Sequence, residues 1–331
     1  MFDPQDYELL SIVHDVLKGG KERRHLKTII ASCLHPNGIV EMAAPKALRM
    51  AYSIVHLINS LDADEAEDRI MALRTLSYEV MNSSASTFRF NTARVLLEIM
   101  KNLVRNTGDE EAALKLAHDF RAASTGKQRV VRYQLRKYHL LEMPEDWNQL
   151  GFDDHVHDAN TKGRKSPTHL IMDAWIKGIR FLTVIYYNYI EPEAAAELME
   201  AAQIMGIGVR IGVELPARFR GRYIHLIWSV RGLSQSQNYQ SFLAKPHVHE
   251  FMDDGRKISA YQQNHVFRIL TLFNEKHRQA LFDEFGMVLP PVDREAFLRF
   301  VGSGQPSLLH LAKHIHNLLI PSMRTLLQEI P

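Results

Sequence analysis

The residues best suited to chemistry lie mid-chain, in the run Asp153-Asp154-His155-Val156-His157-Asp158. Side chains two apart on an extended strand point the same way, so His155 and His157 can present two imidazole nitrogens to one metal ion. Asp153 and Asp158 are near enough to serve as further ligands, or as partners that orient the imidazoles. The plainer alternative is a strand end whose histidines bond to neighbouring backbone. Later in the chain Glu214 is the single acid among Arg210, Arg218, Arg220, Arg222 and Arg231, and His225 falls in the next apolar run. Guanidinium groups so placed could clamp a phosphate or carboxylate bidentately, or belong to a solvated loop.

Other histidine patterns carry less. His247 and His249 follow Pro246 in a helical stretch, where residues two apart point about 200° apart. His310 and His314, four apart, share a helix side but lack a nearby third ligand. Thr125-Gly126-Lys127 lacks the upstream glycine and following hydroxyl of a phosphate-binding loop. Gly206, Gly208 and Gly212 miss the dinucleotide spacing, and neither a GxSxG elbow nor an HExxH helix occurs. One cysteine, Cys33, excludes an internal disulfide and a Cys-based zinc or iron-sulfur site, so any metal must be held by His and carboxylates.

These candidates must be positioned by the surrounding elements. Before residue 138, apolar residues recur at three and four residue spacing between turn signals. That spacing predicts helices over 6–18, 21–33, 45–60, 65–80, 92–105, 110–123 and 128–140. Leu48, Ala51, Tyr52, Val55 and Ile58 form one buried face, and Ile70, Leu73, Leu76 and Val80 another. Near Pro144 the texture changes to short apolar runs at 152–157, 180–187, 207–215 and 223–230, with helices opened by Ser166-Pro167 and by Pro192 between the first three. Strand, helix, strand, helix, strand is the grammar of a parallel sheet or barrel. Beyond residue 234, helices are expected over 239–252, 258–273, 278–285, 294–301 and 307–319.

The sequence from His155-Val156-His157 through Thr161-Lys162-Gly163 and Ser166-Pro167-Thr168-His169-Leu170 to Gly178-Ile179-Arg180-Phe181-Leu182 resembles the opening of the polymerase and histidinol phosphatase (PHP) family. Gly212-Val213-Glu214, followed by His225, resembles that family's third motif. The resemblance covers about residues 150–232. It implies a distorted β/α barrel that holds divalent ions (zinc, manganese or iron) and hydrolyses phosphate esters, with His155, His157, Glu214 and His225 as metal ligands. Lys162 takes the place of the family's first-loop aspartate and could instead hold a substrate phosphate, as could Arg218, Arg220 and Arg222. Tyr186-Tyr187-Asn188 stands where the family has Thr-Asp-His, which removes one histidine ligand, and no Asp-x-His follows Gly232.

The fold expectation is therefore α/β: a helical bundle over 1–145, a partial or degenerate PHP-like β/α barrel over 146–234, and a helical segment or insertion over 235–331. Too few strands are visible to close a barrel, which suggests a fragment of a longer protein. With 331 residues, 46% hydrophobic and 24% charged, the chain can bury a real core. Its formal charge of +2 nominates no global polyanion partner. The basic stretch Arg121, Lys127, Arg129, Arg132, Arg136 and Lys137 is read as a solvated face or one packed on acids, ahead of a nucleic-acid track. No signal peptide or membrane span is visible, and the expected location is the cytoplasm. The leading function is a metal-dependent hydrolase of a phosphorylated substrate, with a protein partner on the N-terminal helices. The alternatives are a catalytically degenerate barrel that binds a ligand or partner, and a helical interaction scaffold.

Overall fold

Helices build the first part of the chain, because its apolar residues fall on single helical faces with charged residues opposite. The computed structural model describes residues 2–18, 45–61, 63, 65–82, 88–106, 108–144, 151–233, 235–302 and 304–328. The expected helix over 21–33, with Cys33, lies outside the described residues. Helix α1 spans Pro4–Lys18, α2 Lys46–Ser60, α3 Ala66–Asn82, α4 Arg89–Arg105, α5 Glu110–Ala123 and α6 Gln128–Lys137. The faces expected of α2 and α3 are inside, with Leu48, Ala51, Val55, Ile58, Ile70, Leu73, Leu76 and Val80 buried and Tyr52 half-buried. Asp109 caps α5, its carboxylate accepting from the Ala112 amide at 3.0 Å.

The sheet alternates with helices. Strand β1 spans Gly151–Val156, helix α7 Pro167–Lys177, β2 Ile179–Tyr187, α8 Pro192–Met205, β3 Gly208–Phe219 and β4 Arg222–Ser229. Helices α7 and α8 each start on a proline and end on a left-handed glycine, Gly178 (φ 85°) and Gly206 (φ 65°). The strand order is β1-β2-β3-β4, with the first two pairings parallel and β3–β4 antiparallel. The four strands form a curled half-barrel. The fourth apolar run is thus the second arm of a hairpin, so Arg218 and Arg222 lie on paired strands and Arg220 at the turn between them (φ 49°), where a loop was expected.

Two faces of the sheet have different fates. Leu182, Val184, Tyr186, Ile211 and Val213 point into the main core and pack with Ile171, Trp175, Leu198 and Ala202 of α7 and α8. That core is continuous with the buried residues of α1–α6, and at its other end takes in Tyr239, Leu243, Val248 and Met252. Arg69 of α3 reinforces the junction, its guanidinium donating to both Glu197 oxygens on α8 at 2.9 and 2.6 Å. Glu197 also accepts from the Thr168 hydroxyl at 2.7 Å, which fixes the start of α7.

The C-terminal helices are α9 (Ser236–Leu243), α10 (Pro246–Leu272, continued by a π-helical turn over Phe273–His277), α11 (Arg278–Phe285), α12 (Arg294–Val301) and α13 (Leu308–Gln328). The expected break near Gly255 is absent, and α10 begins instead at Pro246. Gly255 sits mid-helix because its backbone lies against the Asn188 carbonyl and the Tyr189 Cβ, where a side chain has no room. A second apolar cluster of Val266, Leu270, Phe273, Met287, Leu289, Val292, Phe297 and Leu311 holds these helices together. Among the described residues no helix is long and apolar enough to cross a membrane.

Candidate metal centre

Strands β1, β2 and β3 bring three metal-binding groups together on the face turned away from α7 and α8. The ligand atoms of His155, His157 and Glu214 all lie within 4.8 Å of one another. The Nε2 atoms of His155 and His157 are 3.2 Å apart, and His155 Nε2 lies 3.4 Å from Glu214 Oε2. A tetrahedral zinc site with bonds near 2.0–2.1 Å has ligand–ligand edges of about 3.3 Å, so both separations would suit one shared ion, and the first is equally that of a hydrogen bond.

The backbone sets the chemistry of each ligand. His157 Nδ1 lies 2.8 Å from the carbonyl oxygen of Ile185 on β2. A carbonyl can only accept, so Nδ1 carries the proton and the Nε2 lone pair faces the cluster. Burial lowers the His157 pKa against the raising effect of that carbonyl, and the nearby Lys162 charge lowers it further. The imidazole is therefore held neutral, the form a metal requires. Glu214 is 7% exposed and is carried by β3 in register with Tyr187 of β2. Its Oε1 takes a hydrogen bond from His225 Nδ1 at 2.5 Å, while the buried Oε2 has no hydrogen-bond partner. A desolvated carboxylate oxygen without a hydrogen-bond partner, beside the Nε2 atom of His155, fits a cation. The donor set of two imidazoles and one carboxylate also suits zinc and related divalent ions.

His225 differs from its expected part. It pairs across β3–β4 opposite Pro216 and bonds Glu214 Oε1, and it lies outside the group of three whose ligand atoms are all within 4.8 Å of one another. Lys162 belongs to the loop after β1, and its Nζ lies 5.1 Å from the centre of the Tyr187 ring, which in turn stands 5.1 Å from the His157 ring. The loop is tight: Gly163 packs on the His157 carbonyl and the Asp158 backbone, leaving no space for a Cβ.

The neighbouring aspartates are not in the cluster. Asp153 accepts from the His155 amide at 3.2 Å and Asp154 from the Thr183 hydroxyl at 3.3 Å. Asp158 is fully buried, bound by the Tyr186 hydroxyl at 2.5 Å and the Asn160 amide at 2.8 Å, and burial pushes its carboxyl up to about 6. Asn188, just past the end of β2 with φ 65°, turns its amide away from the cluster, donating to Ser259 at 3.0 Å and Gln262 at 3.2 Å on α10. Sequence reading missed Tyr187, the Ile185 carbonyl and the Tyr186–Asp158 pair. The first stood in view as an aromatic at a strand end; the other two depend on register.

Arg218 and Arg220 stack on Tyr223 and Phe219, with guanidinium carbons 5.7 and 5.2 Å from the ring centres. In the second basic stretch Arg121 bonds Asp6, Arg132 bonds Glu142 and Lys137 bonds Asp119. His249 pairs with Asp253 at 3.0 Å, and His314 packs against Phe297 and Phe300. Comparisons with family models, curated proteins and solved structures returned no match to this chain.

Proposed function

We propose that His155, His157 and Glu214 hold a divalent cation and that the chain is a metal-dependent hydrolase of phosphorylated substrates, with a site of the PHP type. The observation that carries this reading is the buried, unpartnered Oε2 of Glu214 beside His155 Nε2 at 3.4 Å. Three protein donors leave coordination positions open, which is the habit of catalytic sites and not of closed structural ones. A divalent ion bound there would lower the pKa of a coordinated water and neutralise charge developing on phosphoryl oxygens. The chain's own residues supply the rest. The Ile185 carbonyl fixes the His157 tautomer, His225 holds Glu214 at its second oxygen, and Lys162 stands beside the cluster as a cation for a substrate phosphate. The helices before residue 145 are read as a bundle serving regulation or assembly, and a single cysteine suits the cytoplasm.

Metal analysis of the purified chain tests the proposal, followed by turnover of p-nitrophenyl phosphate with added manganese or zinc. The expected result is about one ion per chain, with turnover lost in Glu214→Ala. Folded protein that takes up no ion overturns the reading. A second reading, a catalytically degenerate barrel that binds ligands through Arg218, Arg220 and Arg222, is favoured by one observation: the Asn188 amide, at the end of β2, is spent on Ser259 and Gln262 of α10.

A further inference from the structure

The face of the sheet that carries the metal cluster also carries a line of arginines. Along β3, Arg210, Glu214 and Arg218 are spaced four residues apart, and unbroken pairing with β2 and then β4 keeps all three on one face. Each arginine therefore lies about 13 Å from Glu214, one on either side. Each is also stacked on an aromatic ring of the adjacent strand, Arg210 on Phe181 at 5.0 Å and Arg218 on Tyr223 at 5.7 Å. Neither has a carboxylate partner among the described residues. Glu214, on the same face, accepts from His225, and Asp154 accepts from Thr183. From residue 215 to 232 the chain has no acid at all. Tyr223 is 79% exposed and Phe152, on the far edge strand, 70%.

We infer that this face binds single-stranded nucleic acid, so that the phosphate presented to His155, His157 and Glu214 is an internal phosphodiester. The inference rests on the hydrolase reading and names its substrate class. A single phosphate on a small molecule or a peptide has no use for cations on both sides of the cluster. A polymer with regularly spaced phosphates does, and at roughly 3.4 Å per stacked nucleotide each arginine stands about four nucleotides from the cluster. Arginines lying over rings beside the exposed Tyr223 and Phe152 faces combine backbone charge with platforms on which bases stack. A membrane surface is a poorer fit, since the arginines run along a curled sheet face and do not ring one apolar tip.

The test is fluorescence anisotropy of fluorescein-labelled single-stranded RNA and DNA 12-mers with the full chain in EDTA, alongside a zinc titration of the same preparation. Wild type is expected to bind, and Arg210→Ala/Arg218→Ala to bind at least tenfold more weakly with an unchanged far-UV spectrum. The slope of log affinity against log salt should fall by about 1.4 for the two lost phosphate contacts. Tyr223→Ala, which keeps every charge, should also weaken binding. Several results would overturn the inference: no oligonucleotide binding, equal competition by inorganic phosphate or a mononucleotide, or equal binding of a phosphopeptide or anionic vesicles. Zinc uptake without oligonucleotide binding removes this inference and leaves the metal site standing. Oligonucleotide binding without zinc uptake supports the nucleic-acid face and removes the hydrolase.

Discussion

His155 and His157 meet Nε2 to Nε2 at 3.2 Å, a distance at which two neutral imidazoles can share one proton or one metal ion but cannot both be protonated without repulsion. The Ile185 carbonyl commits the His157 proton to Nδ1, which leaves its Nε2 free to accept. A divalent ion is thus expected to stabilise the fold, by about 2.7 kcal/mol at a hundred times its dissociation constant. Thermal unfolding with saturating zinc and with EDTA measures this. The midpoint should rise for wild type and stay put for His155→Ala and Glu214→Ala; equal shifts in all three would remove the shared site. Because burial lowers the His157 pKa, the zinc effect should persist as pH falls toward the ordinary histidine range and disappear below it, when the His157 imidazole charges.

His225 bonds Glu214 through Oε1, at 2.5 Å, and its side chain is largely exposed. Residues that orient a ligand typically contribute about 10–100-fold to metal affinity. His225→Ala is accordingly expected to weaken zinc binding by that factor while keeping the stoichiometry, as read by calorimetric titration. Complete loss of uptake would make His225 a ligand in its own right.

Gly255 gives a prediction opposed to helix propensity. Replacing a mid-helix glycine with alanine ordinarily gains up to about 1 kcal/mol. Here the new methyl meets the Asn188 carbonyl, so α10 must move off the end of β2. Gly255→Ala should lower the urea midpoint by the equivalent of about 1–3 kcal/mol. A more stable variant would show that this helix is not packed so closely.

Periodicity made much of this legible, since faces such as Leu73–Leu76–Val80 and strands such as Phe181–Tyr187 are read from local spacing alone. The same local rule set His155 and His157 side by side. It could not show that Glu214 arrives beside them, because that depends on β2 lying between β1 and β3 in a particular register; only the family resemblance pointed there. Nor could it give the hairpin: an apolar run followed by Arg220-Gly221 reads equally as a loop and as a turn until a partner strand is known. The gap expected between 252 and 258 is helical in the structure for a related reason. A glycine in a helical pattern signals an end unless a distant backbone, here Asn188, requires its lack of a side chain.

Asp6 links α1 to α5 and tests the pH dependence of that junction. Its carboxylate is fully buried and accepts from Arg121 Nε at 2.8 Å, from the Asp3 amide at 2.9 Å and from His118 Nδ1 at 3.2 Å. Burial alone would raise its pKa, but the Arg121 hydrogen bond, the Asp3 amide, His118 and the Arg121 charge together hold it below the usual aspartate value of 3.8. As pH falls below about 4 the unfolded chain takes up this proton first, so stability that Asp6 contributes at neutral pH drains away as pH drops through the lower, folded-state value. Asp6→Asn should cost about 1.5–3 kcal/mol at pH 7, as expected for lost hydrogen bonds to a charged group. The gap between variant and wild type should then narrow as urea unfolding is repeated from pH 5 toward pH 3. Parallel curves over that range would mean that the carboxyl has the same pKa folded and unfolded, and a gap that widens toward pH 3 would mean that it is protonated in the folded protein.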